Sequence, residues 1–256
     1  MKVYLKKTLI LVSFLLLISS SLLPKGIKSQ ESEEYLTKRD IYLNSREDFL
    51  SAKQSYFNYQ TLQTKEILFQ KLRSFLFARD NFLQNYLKIL LNEGEEYPES
   101  DSTEIKDWLV WLVANRKEVE ASATLDSLVE SGSKLANSYP EMERSIYFFL
   151  TRMTIAQENK VVLGMEEIKL TILKRIDEVT IDKGIVFQWL EEVDDKIKII
   201  GQEQAKALEE MEKSQARRKG DGLRSWRKAE KYLITANQHL KESLDFIDEI
   251  LISLEQ

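Results

Sequence analysis

The stretch MEEIKLTILKRIDEVTIDKGIVFQWLEEVDDKIKIIGQEQAKALEEM, residues 165–211, carries apolar side chains three and four residues apart along most of its length. A mean spacing of about 3.5 residues keeps these side chains on one helix face, against a single partner helix. Lys183 and Gln204 are polar members of the same series. The apolar members are Met165, Ile168, Ile172, Ile176, Val179, Val186, Leu190, Val193, Ile197, Ile200, Ala207 and Met211. The pattern predicts an all-α protein organised around a coiled-coil-like helix.

The repeat also defines the helices around this stretch. Its phase is the same on both sides of Gly184, which favours one helix from Pro140 to about Arg217, with a break at residues 180–184 as the alternative. Such a helix would be roughly 115 Å long at 1.5 Å per residue. Residues 220–222 (Gly-Asp-Gly) predict a turn, so a fourth helix should fold back on the third as an antiparallel hairpin. Its seven-residue repeat is Trp226, Leu233, Leu240, Ile247 and Leu254.

Two further helices are predicted in the first half of the chain. Helix one has apolar residues seven apart and ends at residues 92–94 (Asn-Glu-Gly), where glycine can take the left-handed conformation of a helix cap. After an acidic loop, helix two is expected from Asp101 to Asn137. A connector at 138–140 follows, and its proline suits the first turn of the next helix. The repeat of helix one is Leu62, Phe69, Leu76, Leu83 and Leu90.

These elements predict an overall plan. We expect elongated antiparallel helical hairpins, or a four-helix coiled-coil-like bundle, preceded by an N-terminal hydrophobic helix. The chain then divides into a signal peptide or membrane anchor (1–29), a polar tether (30–44), a first helical hairpin (45–137), and a long heptad helix with a second hairpin (140–256).

The first 29 residues have the layout of an export signal. Three lysines in the first seven residues precede an uncharged segment, 8–23, and then Pro24. A retained membrane anchor is the alternative, although the segment is shorter than the roughly 20 residues that a spanning helix needs. In both cases the lysines keep the amino terminus in the cytoplasm, so the rest of the chain is expected to be extracytoplasmic, either secreted, periplasmic or on the cell surface.

The composition argues against several functions. The chain has no cysteine and a single histidine, His239, so thiolate metal sites, a cysteine nucleophile and histidine-based metal sites are not expected. No glycine-rich phosphate loop or nucleotide fingerprint is present. The net charge is −5, and the first 29 residues hold five lysines and no acid, so the remainder is more acidic still. Nucleic acid is therefore not an expected partner. We expect no cofactor and no metal, and a protein that is not an enzyme.

A basic cluster around the last turn is the most distinctive predicted surface. Cations at the end of helix three would complement the helix dipole. Together with an aromatic residue they could also contact an anionic surface such as lipid headgroups. The candidate contact residues are Arg217, Arg218, Lys219, Arg224, Trp226, Arg227 and Lys228.

Other conspicuous residues are assigned structural roles. The acidic run at Glu191, Glu192, Asp194 and Asp195 falls between seam residues and is expected to face solvent. Trp108 and Trp111 are interpreted as core residues, with an exposed partner site as the alternative. Polar residues in the seam, Lys183, Gln204 and Asn237, would fix helix register.

Two functions remain open from the sequence. The favoured one is an exported or membrane-tethered scaffold, spacer or assembly partner. It would pair with a helical protein or with itself, and reach a membrane through residues 8–23. The alternative is a ligand-sensing or ligand-binding helical bundle, with a polar pocket near Trp108, Trp111 and helix three. The predicted partner seam consists of Val186, Leu190, Val193, Ile197, Ile200, Leu233, Leu240 and Ile247.

Overall fold

The structure is a computed structural model that describes residues 29–176, 183–216 and 222–254. Within these ranges it contains helices and no strand, so the predicted all-α class is confirmed. The predicted N-terminal hydrophobic segment, 8–23, lies outside the described residues. No helix in the described part of the chain is long and apolar enough to cross a membrane. The helices are α1 Ser29–Tyr59, α2 Leu62–Gly94, α3 Thr103–Ala121, α4 Leu125–Arg175, α5 Lys183–Ala216 and α6 Gly222–Leu254, with a short 3₁₀ turn at Pro98–Ser100.

The chain folds as two compact units. Of the described residues, unit 1 comprises 29–96 and 102–142, and unit 2 comprises 97–101 together with the described residues from 143 to 254. The first part of α4 therefore belongs to unit 1 and the second part to unit 2. Each unit has its own buried apolar residues and is described by itself below.

In unit 1, α1 packs against α2 as an antiparallel pair. Tyr35 and Tyr42 are 1% and 2% exposed, and their rings contact Phe82 at centroid distances of 5.3 and 5.6 Å. Residues 30–44, predicted as a polar tether, lie within α1 and include these two buried tyrosines. The chain reverses at Gln60, whose φ of 46° is left-handed, and Thr61 caps the start of α2.

The break between the second and third predicted helices lies earlier than expected. α3 ends at Ala121, and a reciprocal pair of hydrogen bonds between Thr124 and Ser127 starts α4. Pro140 lies inside α4 and does not begin a helix. A proline in a helix interior costs about 3 kcal/mol. Burial of Leu135, Tyr139 and Met142 at helical spacing on both sides of it offsets this cost.

In unit 2, α4 and α5 run antiparallel. The Glu158 side chain contacts Gln204, Lys169 contacts Asp194, and Arg144 contacts the Ser214 carbonyl. Later residues of α4 thus contact earlier residues of α5, as expected for an antiparallel pair. The predicted continuous helix from 140 to 217 is therefore wrong: the chain turns back between Ile176 and Lys183, through residues outside the described ranges. A heptad phase can continue across such a reversal, so it could not reveal the turn.

The predicted hairpin between the last two helices is confirmed. α5 and α6 pack along each other, and the Lys196 ammonium lies 2.6 Å from the Glu242 carboxylate across the pair. The first two residues of the predicted 220–222 turn lie outside the described residues, and Gly222 begins α6. One buried cluster joins this hairpin to α4 through Met165, Val193, Ile200, Ala236, Leu240 and Ile247.

Candidate binding groove

An open groove on unit 1 is lined by side chains from several helices. Its residues come from α1, α2 and α3, with α2 contributing most of them at three- and four-residue spacing. It has a polar half and a more apolar half, which share Lys38 and Asn81. Because all three helices belong to the same unit, the groove is built on rigid elements.

The polar half encloses about 370 Å³ and carries more positive than negative charge. Its charged side chains are Lys38, Lys88, Arg116 and Glu34. The volume is within the range of small-molecule sites, about 300–1,000 Å³. Its remaining lining residues are Asn81, Gln84, Asn85, Ile89 and Asn92, four of which carry amide side chains.

Hydrogen bonds across the groove fix these side chains. The Arg116 guanidinium donates to the side-chain amide oxygen (Oδ1) of Asn81 at 2.7 Å and joins α3 to α2. The Asn85 amide donates to the Glu34 carboxylate at 3.1 Å and joins α2 to α1. The polar groups are therefore held in place before any ligand arrives, which lowers the entropy cost of binding.

Two atoms of the polar half lack hydrogen-bond partners in the structure. They are the amide nitrogen of Gln84, a residue that is 8% exposed, and the side-chain oxygen of Asn85. Buried polar groups are nearly always paired, and an unpaired one costs about 1–3 kcal/mol. Both atoms have almost no solvent-exposed surface, so they are not open to a bound molecule in this structure.

The second half of the groove encloses about 530 Å³ and is more apolar. Ile41 is 50% exposed there, and the Phe77 ring is half-buried beside Ala78. The Arg116 guanidinium lies 4.2 Å from the centroid of the Phe77 ring, so it connects the polar and apolar surfaces. At the α3 edge, Arg73 donates to the Glu120 carbonyl at 2.6 Å.

A buried ion pair supports α2 next to the groove. Asp80 is fully buried and accepts hydrogen bonds from the Arg79 guanidinium at 2.9 and 3.0 Å and from the Asn115 amide at 2.8 Å. Arg79 also donates to the Gly132 carbonyl at 3.4 Å. The pair thereby links α2 to α3 and α4, and fixes the position of its neighbour Asn81.

Unit 2 contains two buried carboxyl groups whose hydrogen-bond partners are uncharged side chains. Glu158 is 2% exposed; one of its oxygens accepts from the Gln204 amide at 2.9 Å, and the other has no partner in the structure. Glu143 is 8% exposed and accepts from the Tyr147 hydroxyl at 3.5 Å. Burial raises the pKa of each to about 7. They are 15 residues apart on one helix, about 22 Å, so they cannot act together on one bond.

The predicted basic cluster is only partly described. Arg217, Arg218 and Lys219 lie outside the described residues, whereas Arg224, Arg227 and Lys228 are exposed. The Trp226 ring is 8% exposed and stacks on Tyr147 at a centroid distance of 5.2 Å. Trp226 is therefore a core residue of unit 2 and not an exposed contact residue.

The predicted partner seam is buried inside the chain itself. Seven of its eight residues are buried and Ile197 is partly buried, among the apolar side chains of α4, α5 and α6. Gln204 is a buried polar residue of this seam, as predicted, and its partner Glu158 was not foreseen. Lys183 and Asn237 are exposed, and the Asn237 amide donates to the Leu233 carbonyl of its own helix.

The remaining predicted residues do not form a site. Trp108 and Trp111 are half-buried and contact each other edge to face at 5.9 Å, away from the residues that line the groove. His239 lies 3.3 Å from the Glu242 carboxylate on the same helix. The acidic run is exposed as predicted: Glu191, Glu192, Asp194 and Asp195 all face solvent.

The groove was not predicted from the sequence. A polar stripe on predicted helix one, which is α2 in the structure, could have indicated the groove. Its residues, Asn81, Asn85, Lys88 and Asn92, recur three and four residues apart beside the apolar repeat. Amide side chains favour caps and turns over helix interiors, so a row of them within a helix calls for a reason other than helix propensity.

Comparisons with known proteins found no significant similarity. No family model matches the chain, and no curated protein and no solved structure is significantly similar to it. Among the described residues, no three acidic or histidine side chains are close enough together to hold a metal ion.

Proposed function

We propose that this protein is a non-enzymatic helical binding protein that holds its ligand in the groove of unit 1. One observation supports this above all: the cationic side chains of Lys38, Lys88 and Arg116 converge on one groove that is also lined by four amide side chains. Rigid helices, a preformed concave surface and a few convergent polar groups are the usual features of a ligand site.

The charged and amide side chains that converge on the unit 1 groove favour ligand binding over the scaffold hypothesis. A scaffold that pairs through its seam needs that seam open to a second chain, but Val193, Leu240 and Ile247 are buried within unit 2. The groove, in contrast, is open and lined by charged and amide side chains. The binding residues therefore belong to unit 1, and unit 2 supplies a separately packed helical body.

Assembly with a helical partner or a second copy is a second candidate, through a different surface. Leu163, Leu170 and Leu173 are 66%, 56% and 36% exposed on one side of α4. Exposed apolar residues at helical spacing favour protein contacts. Light scattering on the full chain tests this candidate: a wild-type dimer that becomes monomeric with Leu170→Glu supports it, and a wild-type monomer contradicts it.

The expected compartment follows from the first 29 residues. If residues 8–23 act as an export signal or membrane anchor, the groove faces the extracytoplasmic side and meets extracellular or periplasmic solutes. The mass of the protein recovered from the cell decides between cleavage and retention. A full-length mass in a soluble cytoplasmic fraction would contradict both.

A thermal-shift screen tests the groove itself. The full chain is heated with a panel of anionic, neutral and cationic small molecules, in parallel with Ser74→Trp, which fills the groove from an exposed position on its floor. Lys65→Trp, at an exposed position of α2 outside the groove, is the matched control. Ligands should raise the Tm of wild type and Lys65→Trp but not of Ser74→Trp. No stabilising molecule, or equal stabilisation of all three proteins, would show that the groove binds none of the panel.

A further inference from the structure

We infer that the groove takes an amphiphilic organic anion, with a carboxylate or phosphate head in the polar half and an apolar body along the second half. This inference rests on the proposed binding function of the groove and adds the chemical class of the ligand. The charge of the polar half and the adjoining apolar surface both point to it.

The charges of the polar half favour an anionic head. Within the described residues Lys38 and Lys88 form no ion pair, so both ammonium groups are free to bind an oxyanion. Glu34 accepts from Asn85, and Arg116 is paired with Glu120 at 3.1 Å. Two uncommitted cations thus face one carboxylate that already has a partner, in a chain whose net charge is −5. An anion is attracted to this half and a cation is repelled.

The amide groups refine the recognition of the head. Asn81 lines this half and is partly exposed, and its side-chain N–H groups suit an oxygen of a carboxylate or phosphate. The unpaired atoms of Gln84 and Asn85 have almost no exposed surface, so they do not contact the head directly.

The second half indicates an apolar body attached to the head. Lys38 and Asn81 line both halves, so a molecule bound beside Lys38 extends directly over Ile41 and Phe77. Along α2, Phe77 and Lys88 are 11 residues apart, about 16 Å. A medium-length alkyl chain or an aromatic body covers that distance and shields Ile41, which is now half exposed.

The experiment compares three probes on the full chain by ¹⁵N-edited NMR of the side-chain amides. Octanoate has the anionic head and the apolar chain, acetate has only the head, and octanamide has the chain with a neutral head. Octanoate should shift the signals of Asn81, Gln84 and Asn85 saturably, with a Kd near or below about 1 mM. The other two probes should bind at least about tenfold more weakly.

Matched variants locate the two ends of the probe. Lys38→Gln with Lys88→Gln should raise the Kd of octanoate about tenfold or more, and Ile41→Gln about threefold. The controls are Lys65→Gln and Ile67→Gln, exposed positions of α2 outside the groove, which should leave the Kd unchanged. An unchanged Kd in the groove variants means that octanoate binds elsewhere, which overturns the inference.

The outcomes separate this inference from the proposed function. If octanamide shifts the groove signals as tightly as octanoate does, the groove binds ligands but their class is wrong. If acetate equals octanoate, the apolar half has no part in binding, which also overturns the inference while the groove remains a ligand site. If neither these probes nor any molecule of the thermal-shift panel acts at the groove, the proposed function fails as well.

Discussion

Asp80 and Arg79 are the clearest case in which single residues determine the structure of unit 1. Both are almost fully buried, and Asp80 uses both carboxylate oxygens for hydrogen bonds. Two charges can remain in a protein interior only when their pairing and hydrogen bonds offset the loss of hydration. Removal of one partner therefore costs far more than removal of an exposed ion pair.

Replacement of Asp80 by alanine should strongly destabilise unit 1. The change leaves the Arg79 guanidinium buried without a counter-ion and the Asn115 amide without its acceptor, so the free energy of unfolding should fall by about 3–5 kcal/mol. Urea unfolding followed by circular dichroism measures the loss. The control is Asp48→Ala, which breaks the exposed pair with Lys71 and should cost less than about 1 kcal/mol. Equal losses in the two variants would contradict the role of burial.

The sequence could not have identified this pair. Arg79 and Asp80 are adjacent charged residues on a helix, and in most helices such residues face solvent. Their burial follows from the approach of α3 and α4, which brings Asn115 and the Gly132 carbonyl to the same place. Asn115 is 35 residues from Asp80 and Gly132 is 53 residues from Arg79, so local spacing alone cannot predict these contacts.

At the scale of elements, apolar spacing predicted that the elements are helices and that the last two, α5 and α6, pack together. The α5–α6 hairpin follows from seven-residue repeats on both sides of a glycine-rich turn, and Val193, Leu240 and Ile247 are buried as that pattern requires. The spacing gives the face of a helix but not the direction of the chain. For this reason the reversal after Ile176 was missed, since an uninterrupted helix and a hairpin can have the same phase.

The other differences from the predicted elements also have physical reasons. The segment 30–44 contains few apolar residues, yet Tyr35 and Tyr42 are seven apart and bury large rings against α2. The break at 122–124 has neither glycine nor proline, whereas Pro140 marked a false one. The groove was even less predictable, because its lining comes from three helices whose relative placement depends on long-range packing.

Two glycines within helices provide a test of element stability. No atom lies within 4 Å of a methyl group added at Gly164 or Gly201, whereas one added at Gly132 would be 3.2 Å from Leu76. Alanine reduces the entropy of the unfolded chain, so Gly164→Ala and Gly201→Ala should each raise the free energy of unfolding by about 0.5–1 kcal/mol. Gly132→Ala is the matched comparison and should gain less or lose stability. Urea titration of the three variants measures the difference, and an equal gain at Gly132 would contradict the packing argument.

On the scale of the whole molecule, the two units differ in how they bury charge. Unit 1 buries a carboxylate with a guanidinium partner, Asp80 with Arg79. Unit 2 buries Glu143 and Glu158, whose hydrogen-bond partners, Tyr147 and Gln204, are uncharged at neutral pH. The buried carboxyl groups of unit 2 are therefore stable mainly in the protonated form, and pH should affect the two units differently.

The stability of unit 2 should fall between about pH 5 and pH 8. The pKa of Glu143 and that of Glu158 are each raised by burial from 4.5 to about 7. The unfolded chain therefore loses its protons at a lower pH than the folded chain does. The stabilisation is complete below about pH 4.5, declines as the unfolded chain ionises, and is lost once the pH passes about 7, on the order of 3 kcal/mol per carboxyl group. The shifted groups of unit 1 include Tyr35, Tyr42 and Tyr86, whose raised pKa values lie above this range.

Hydrogen exchange resolved by unit measures this difference, after correction for the pH dependence of intrinsic exchange. Amides of α5 and of α4 beyond Glu143 should lose protection between pH 5 and pH 8, whereas those of α2 should lose much less. Glu158→Gln keeps the size of the side chain and removes its charge, so it should abolish roughly half of the loss and stabilise unit 2 at pH 8. Glu191→Gln, an exposed acid of α5, is the control and should leave the profile unchanged. An unaltered profile in Glu158→Gln would mean that its carboxyl group already ionises in the folded chain at little cost, which requires water to reach it between α4 and α5.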